Sequence, residues 1–399
     1  MRLFALLTAE LRSIDLAEDA LADAFGAAAT SWPDAGPPAN PAAWLLVVGR
    51  RRAADRARRE AILARKLPLL IVDTDQVDRD AAATTIPDER LRLLFTASHP
   101  ALAPEARLAL TLRYVAGLRT PDVARLLLVS ESTMAARLTR AKHKIAQAGI
   151  PYRVPSEAEL PERTSAVLAV IYLIFTEGYA AADGSSLTRP ELADEAIRLA
   201  LLLAELMPDE PEAEALLGLL LLQHARRDAR VDDADLVRLS DQDRSRWHAD
   251  EITAGIEHVR VATQHAAQVT RPDPGEGRYL LQAQIAVLHT VATSAEDTDW
   301  ITIAALYLRL ERLTGSPVVR VNRAVAVAEA GDVGLALALL DGLEAGLPAY
   351  PMLPAVRAEL LRRLGRNPEA GREYDRALAL TSNAVRRRFL AARRASLSG

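Results

Sequence analysis

A basic helix near the middle of the chain carries the side chains whose types and spacing most clearly predict chemistry. In the stretch SESTMAARLTRAKHKI, residues 130–145, apolar side chains recur every three or four positions, as on the buried stripe of an amphipathic helix: Met134, Leu138, Ala141 and Ile145. A polar and basic set follows the same intervals one position earlier: Thr133, Arg137, Arg140 and Lys144. One position is about 100° around a helix, so the basic ridge lies beside the buried stripe.

The longer segment RTPDVARLLLVSESTMAARLTRAKHKI, residues 119–145, predicts a helix-turn-helix. Thr120 and Pro121 favour a helix start, residues 128–130 form a short turn, and Ser130 can cap the second helix. Recognition helices present short polar side chains to base edges in their first turn and cations to phosphates further on. The candidates are Glu131, Ser132 and Thr133 for bases, and Arg137, Arg140, Lys142 and Lys144 for phosphates. From this segment alone, a helical hairpin with a solvated basic face is the alternative.

A second basic patch lies earlier in the chain, where residues 50–66 hold eight Lys or Arg and two Asp or Glu. Its candidate DNA contacts are Arg50, Arg51, Arg52, Arg58 and Arg59, and Trp44 precedes them on the same predicted helix. A cationic helix beside an aromatic suits a nucleic-acid strand or unpaired bases, but Trp44 could equally pack in the core. The net charge is −4, and the two basic stretches carry +6 and +4, so the rest of the chain carries −14. Two local basic surfaces on an acidic chain indicate two separate backbone contacts.

Composition narrows the classes of protein. The chain has 399 residues, of which 50% are hydrophobic but only 4% aromatic, and this favours packed helices over sheets. It contains no cysteine, which excludes disulfides, thiolate catalysis and cysteine-ligated zinc. No apolar run approaches the roughly 18 residues of a membrane span. We therefore expect an all-α, cytoplasmic protein without membrane contact.

The elements that must position these residues fall into four predicted segments. Residues 1–62 form a small helical domain, 63–87 an acidic linker, 88–155 the helix-turn-helix domain, and 156–399 a helical extension. In the first segment Asn40 should cap a helix that begins at Pro41. The preceding helix has an apolar face, predicted to include Phe25, opposite an acidic one: Asp15, Glu18, Asp19 and Asp23.

The extension contains an internal repeat with a period of 34 residues. Ala324, Gly331 and Ala336 recur as Ala358, Gly365 and Ala370, and residues 191–222 hold a weaker version. The second copy resembles a tetratricopeptide hairpin, with small residues where two helices approach and glycine at the turn. Repeats of this length bury their faces by stacking on one another.

The order of these parts resembles an extracytoplasmic-function (ECF) sigma factor, the promoter-recognition subunit of bacterial RNA polymerase. DLAEDALADAFGAAATSWP and NPAAWLLVVGRRRAADRARRE resemble the domain that binds the polymerase clamp and melts the −10 element. Residues 108–145 resemble the domain that reads the −35 element. IFTEGYAA, LSDQDRSRW and SPVVRVNRAVAVAEAGD resemble the tetratricopeptide-like extension of one ECF group. The resemblance spans the chain.

The resemblance implies partners and roles. The protein would bind the clamp and flap regions of core RNA polymerase and the −35 and −10 elements of the promoter. A regulatory protein would bind to the extension. No cofactor or metal is implied. The acidic face would contact the clamp through Asp15, Glu18, Asp19 and Asp23. The −10 strand path would be lined by Arg50, Arg51, Arg52, Asp55, Arg58 and Arg59, and the −35 duplex would be met by Ser132, Thr133, Arg137 and Arg140. The chain begins part-way into the first helix of such factors, so its true N-terminal start is open. Arg51 replaces a frequent Asn, so a −10 base preference is not implied.

Two other functions are alternatives. A tetratricopeptide adaptor, whose helix-turn-helix is only a hairpin, would capture proteins without recognising promoters. An enzyme is not expected: Asp241, Asp243 and His248 are the best acid–base or metal candidates, but no phosphate loop, paired histidines or nucleophile elbow accompanies them. An ion-paired hinge anchored by Trp247 is the simpler interpretation of that stretch.

Overall fold

The computed structural model describes residues 2–11, 13–64, 89–127, 129–179, 189–232, 235–268 and 277–398. These residues form helices and one short antiparallel hairpin, β1 (Val231–Asp232) with β2 (Asp235–Leu236), in which Val231 pairs with Leu236. The all-α prediction is confirmed. The chain divides into two compact units, Met1–Val170 and Ile171–Gly399. The finer division into 1–62, 63–87, 88–155 and 156–399 stays a prediction, and residues 65–87 of the predicted linker lie outside the described residues.

The first unit is built from seven helices and the start of an eighth within its described residues. They are α1 (Arg2–Leu11), α2 (Ile14–Ala35), α3 (Pro41–Ala64), α4 (Glu89–Ala97), α5 (Pro104–Leu110), α6 (Thr120–Leu126), α7 (Glu131–Gln147) and α8 (Leu160–Tyr179). A π-helical turn, Thr111–Val115, continues α5. The boundary between the two units falls within α8.

Local sequence explains how α2 and α3 begin and pack. Ser13 accepts a hydrogen bond from the Leu16 amide, and Asn40 accepts one from the Ala43 amide at 3.0 Å, so the predicted cap of α3 is confirmed. An alanine stripe on α2, Ala17, Ala20, Ala24 and Ala28, is buried. Phe25 was expected on that face and is instead 51% exposed. It follows Ala24 by one position, which turns its large ring about 100° away from the narrow stripe.

The second unit consists of paired helices. They are α9 (Pro190–Leu206), α10 (Pro211–His224), α11 (Ala249–Gln268), α12 (Arg278–Val291), α13 (Trp300–Thr314), α14 (Pro317–Glu329), α15 (Val333–Leu339), α16 (Met352–Arg363), α17 (Asn367–Leu380) and α18 (Ala384–Ala395). None of the helices in the described ranges is both long and apolar enough to cross a bilayer.

The 34-residue period corresponds to two helical hairpins, α14–α15 and α16–α17. Ala324, Ala336, Ala358 and Ala370 are each fully buried. Gly331 and Gly365 adopt positive φ values of 108° and 74° after the first helix of each hairpin, a conformation that glycine adopts without a Cβ clash. The repeat therefore marks equivalent packing positions and equivalent turns.

Two glycines let α10 and α11 approach closely. A Cβ atom added to Gly218 would lie 2.7 Å from Val259 Cγ2 and 2.9 Å from the Gly255 carbonyl oxygen. One added to Gly255 would meet Leu222 at 2.8 Å. Any larger residue at either position would force the two helices apart.

Candidate nucleic-acid interface

The candidate recognition helix is α7, and its two predicted stripes are present. Met134, Leu138 and Ala141 are buried, while Ile145 is half-buried. On the neighbouring ridge Thr133, Arg140 and Lys144 are exposed and Arg137 is half-buried. Because the apolar stripe packs into the first unit, the ridge faces outward with three cations over two turns.

The first turn of α7 is ordered by its own hydroxyl groups. Ser130 caps the helix by accepting the Thr133 amide at 3.1 Å, as predicted. Its Oγ also lies 2.7 Å from Thr133 Oγ1 and 3.0 Å from Ser132 Oγ. The side chains of Ser132 and Thr133 are exposed. Short hydroxyls held at the helix N-terminus are available for base edges or phosphates.

Lys142 differs from the other predicted phosphate contacts. Its side chain is only 16% exposed, and its ammonium pairs with Asp15 and lies 3.3 Å from Glu18 Oε2. The sequence assigned Lys142 to DNA and the two carboxylates to polymerase, whereas the structure brings all three together. Both assignments stay predictions. In the structure these three groups are already paired with one another within the first unit.

Glu18 is the centre of this cluster. Its carboxylate accepts hydrogen bonds from Arg113 and, at 2.9 Å, from the Tyr114 hydroxyl, besides the contact with Lys142. Burial, reinforced by the charge of Glu18, raises the pKa of Tyr114. The cluster joins α2 to the π-helical turn and to α7 across 95 to 124 positions of sequence, and no local pattern could have predicted it.

Helix α1 also packs against the later part of the first unit. The rings of Phe4 and Tyr114 stack with centroids 5.1 Å apart, and the Tyr152 hydroxyl donates to the Ala5 carbonyl at 3.1 Å. The helices that carry the two basic surfaces therefore belong to one packed unit.

The second predicted basic surface lies on α3. Arg51 and Arg52 are exposed, and Arg50, 51% exposed, pairs with Glu10 through an Nε–Oε2 distance of 2.6 Å. The side chains of Arg58 and Arg59 lie outside the described residues. Two exposed guanidinium groups at the middle of α3 thus remain available for a phosphate backbone.

Trp44 packs partly in the core. It is half-buried against a cluster formed by Ala24, Ala28 and Leu45, and its ring lies 5.4 Å from that of Trp32 at 58°. This packing fixes the indole at the start of α3. It leaves part of the ring exposed beside the basic surface.

The acidic face of α2 is divided in its contacts. Asp15 and Glu18 bind the basic groups described above, and Asp15, Asp19 and Asp23 are all exposed. The contact of this face with a protein partner stays a prediction. Asp23 forms no ion pair with another described residue.

The candidate acid–base residues of the second unit have structural partners. Asp241 binds Arg238 with an Nε–Oδ2 distance of 2.7 Å, Asp243 caps the turn at Ser245, and His248 lies 2.7 Å from Asp228. Trp247 is buried. No group of three His, Asp or Glu side chains in the described part of the chain is placed to hold a metal ion.

Comparison with known proteins identifies two segments of the chain. Residues 92–145 match the model of sigma-70 region 4, and they contain the whole helix-turn-helix. Residues 163–263 match a family of unknown function, DUF6596. The region 4 match supports a sigma factor that takes part in promoter recognition through the −35 element.

One relative extends over nearly the entire chain. It is the uncharacterized protein R00370 of Rhizobium meliloti (strain 1021), 44% identical over 379 residues, which are 94% of this chain and 88% of the relative. The similarity includes both matched segments. The chain therefore belongs to the same family as this Rhizobium meliloti protein, with a sigma-70 region 4 domain at residues 92–145.

Proposed function

We propose that the chain is an ECF sigma factor that directs promoter-specific initiation by bacterial RNA polymerase and is regulated through its own C-terminal helical extension. The observation that carries the proposal is the outward basic ridge of α7, within the sigma-70 region 4 match. The buried apolar stripe of α7 fixes the orientation of the helix, and therefore of the basic ridge beside it. The ridge can thus present its side chains to DNA in one geometry.

At the −35 element, α7 would lie in the major groove. Ser132 and Thr133, exposed at its start, would meet base edges, and Arg137 and Arg140 would bind phosphates of the flanking backbone. Lys144 would extend the phosphate contact by a further turn. Lys142 would contribute only after leaving its carboxylate partners.

At the −10 element, the exposed cations of α3 would follow the melted strand. Arg51 and Arg52 would bind its phosphates, Arg50 would join them on release from Glu10, and Arg58 and Arg59 would continue the path. The exposed part of Trp44 would stack on an unpaired base. Binding to a single strand needs this combination of charge and aromatic surface.

The acidic face of α2 would bind the clamp of core polymerase, and the region 4 domain would bind the flap. Residues 156–399 would act as a tetratricopeptide-like module that controls the sigma domains in place of a separate anti-sigma protein. The buried alanines and turn glycines of its hairpins support the tetratricopeptide-like packing.

Run-off transcription with core polymerase tests the proposal. Promoter-dependent transcripts from the full chain are the expected result, and their absence with polymerase that is active with another sigma factor would end it. Co-purification distinguishes an adaptor, which would bring down other proteins but no polymerase subunits.

The salt dependence of promoter binding tests the assignment of α7. Arg137→Ala and Arg140→Ala should each weaken holoenzyme binding and reduce the slope of log K against log salt by about one, since each removes one phosphate contact. Arg312→Ala, which removes an exposed arginine at the end of α13, is the matched control and should leave the slope unchanged. Unchanged slopes in both α7 variants would contradict the phosphate contacts.

A further inference from the structure

The second unit contains a cavity of about 550 Å³ between α8, α10, α12, α13 and α14. This lies in the size range of small-molecule sites, 300–1,000 Å³. Its wall combines apolar side chains, such as Ile285, Leu310 and Val319, with amide groups from Gln282 and Asn322. Apolar walls with a few polar groups are the usual composition of a ligand site.

The charges of the cavity have one sign. Arg226 and Arg278 line it, and none of the described lining residues is Asp or Glu. Neither arginine forms an ion pair with a described carboxylate. Arg226 Nη2 donates to the Tyr179 hydroxyl at 3.1 Å and its guanidinium lies 5.9 Å from the ring of Trp247, but its buried Nε has no hydrogen-bond partner among the described residues. A buried donor without a partner is costly, so the protein itself does not fully satisfy this guanidinium.

A histidine of the wall lies in the same positive electrostatic environment. His289 is half-buried and packs against Trp300, with ring centroids 5.1 Å apart. Burial, together with the positive charges of Arg226 and Arg244, lowers the pKa of His289 to about 4. The imidazole is therefore uncharged at neutral pH and can donate or accept a hydrogen bond beside the two arginines.

We propose that this cavity is a binding site for a small organic acid, with a carboxylate held by Arg226 and Arg278 and an apolar body against Ile285, Leu310 and Val319. Guanidinium groups bind carboxylates bidentately, which suits the cationic end of the cavity. The polar side chains Gln282 and Asn322 would fix the orientation of the ligand. The site would give the C-terminal unit a chemical input of its own, beyond the proposed role in transcription.

Saturation-transfer NMR on the full chain, with naphthalene carboxylate and its neutral amide as probes, tests the site. For a probe of this size we expect saturable binding of the carboxylate with a Kd on the order of 1 mM, and binding of the amide at least about tenfold weaker. The assay contains neither polymerase nor DNA, so its result is independent of the transcription test.

Two variants locate the binding. Arg278→Gln should weaken carboxylate binding about tenfold, because it removes one charged hydrogen-bond donor from an exposed position where folding is not at risk. Asn322→Asp, isosteric and exposed, should weaken it by repulsion while leaving binding of the amide unchanged. Arg312→Gln, outside the cavity, is the control and should bind as the wild type does. Equal binding of acid and amide, no binding of the acid at 10 mM, or wild-type binding by both cavity variants would each overturn the proposal.

Discussion

The carboxylate of Glu18 should control how firmly α2 is held against α7 and the π-helical turn. Glu18→Gln keeps the shape of the side chain and one acceptor oxygen but removes the charge that Arg113 and Lys142 face. The side chains of Glu18, Arg113 and Lys142 are 29%, 26% and 16% exposed, so solvent screens the cluster only in part.

The magnitude follows from these exposures. A hydrogen bond to a charged group contributes about 1.5–3 kcal/mol, and a fully exposed ion pair less than about 1 kcal/mol. Glu18 has three such contacts, but glutamine retains one of them and costs less to desolvate. We expect a net loss of about 2 kcal/mol, which is roughly a 30-fold change in the local opening equilibrium.

Amide hydrogen exchange measures this opening directly. The most protected amides of α2 and α7 should exchange roughly 30-fold faster in Glu18→Gln than in the wild type. Asp23→Asn is the matched control, since Asp23 is an exposed carboxylate of the same helix, and it should change exchange less than about twofold. The amides of α16 and α17 should be unaffected in both variants. Equal effects of the two substitutions, or a parallel change in α16 and α17, would refute the reasoning.

Two further predictions concern the second unit. Burial opposes ionisation of Glu359, but hydrogen bonds from Arg362 and Tyr374 and the charge of Arg393 outweigh it. Together they lower the pKa of Glu359 from the ordinary 4.5 to about 2. The stability that the ionised carboxylate contributes is therefore present above pH 4.5 and lost between pH 4.5 and 2. Thermal unfolding of the full chain should show a component of about 3 kcal/mol lost in that interval, and Glu359→Gln should abolish this component. Glu369→Gln in α17, where the side chain is 41% exposed, should retain it. Gly218→Ala should destabilise the second unit by about 1–3 kcal/mol because its Cβ would meet α11 at 2.7 Å, while Gly334→Ala, with 3.7 Å to its nearest neighbour, should be neutral or stabilising. Urea unfolding followed by circular dichroism checks both glycine variants, and equal midpoints would contradict the close approach of α10 and α11.

Periodicity predicted the features that depend on one helix at a time. The buried stripe of α7, the caps at Asn40 and Ser130 and the paired alanines of the two hairpins all follow from spacings within one or two turns. Phe25 was assigned wrongly because a stripe made of alanines is narrower than the apolar face that the sequence outlines. Hydrophobicity alone does not give the width of a buried stripe.

Features that join distant segments could not be predicted. Lys142 has the spacing of a phosphate ligand, and only the approach of α2, more than a hundred positions earlier, gives it carboxylate partners. The cavity is similar, since Arg226 and Arg278 come from different helices and nothing in their local sequence relates them. In both cases the sequence identifies the charged residue, but it does not show whether the fold places an oppositely charged side chain beside it.

The Glu18 cluster also constrains the proposed function. A carboxylate that already accepts hydrogen bonds from Arg113, Tyr114 and Lys142 cannot present the same oxygens to the clamp of polymerase. Likewise, Lys142 cannot bind a phosphate while its ammonium is paired. If Glu18 binds the clamp and Lys142 binds a phosphate in the transcription complex, α2 must first separate from α7. This separation reduces the free energy of binding by about 2 kcal/mol for Glu18 alone. Glu18→Gln would then lower that cost at the same time as it removes one clamp contact. Its effect on polymerase affinity should therefore be smaller than that of Asp23→Asn, whose carboxylate lies exposed on the same face.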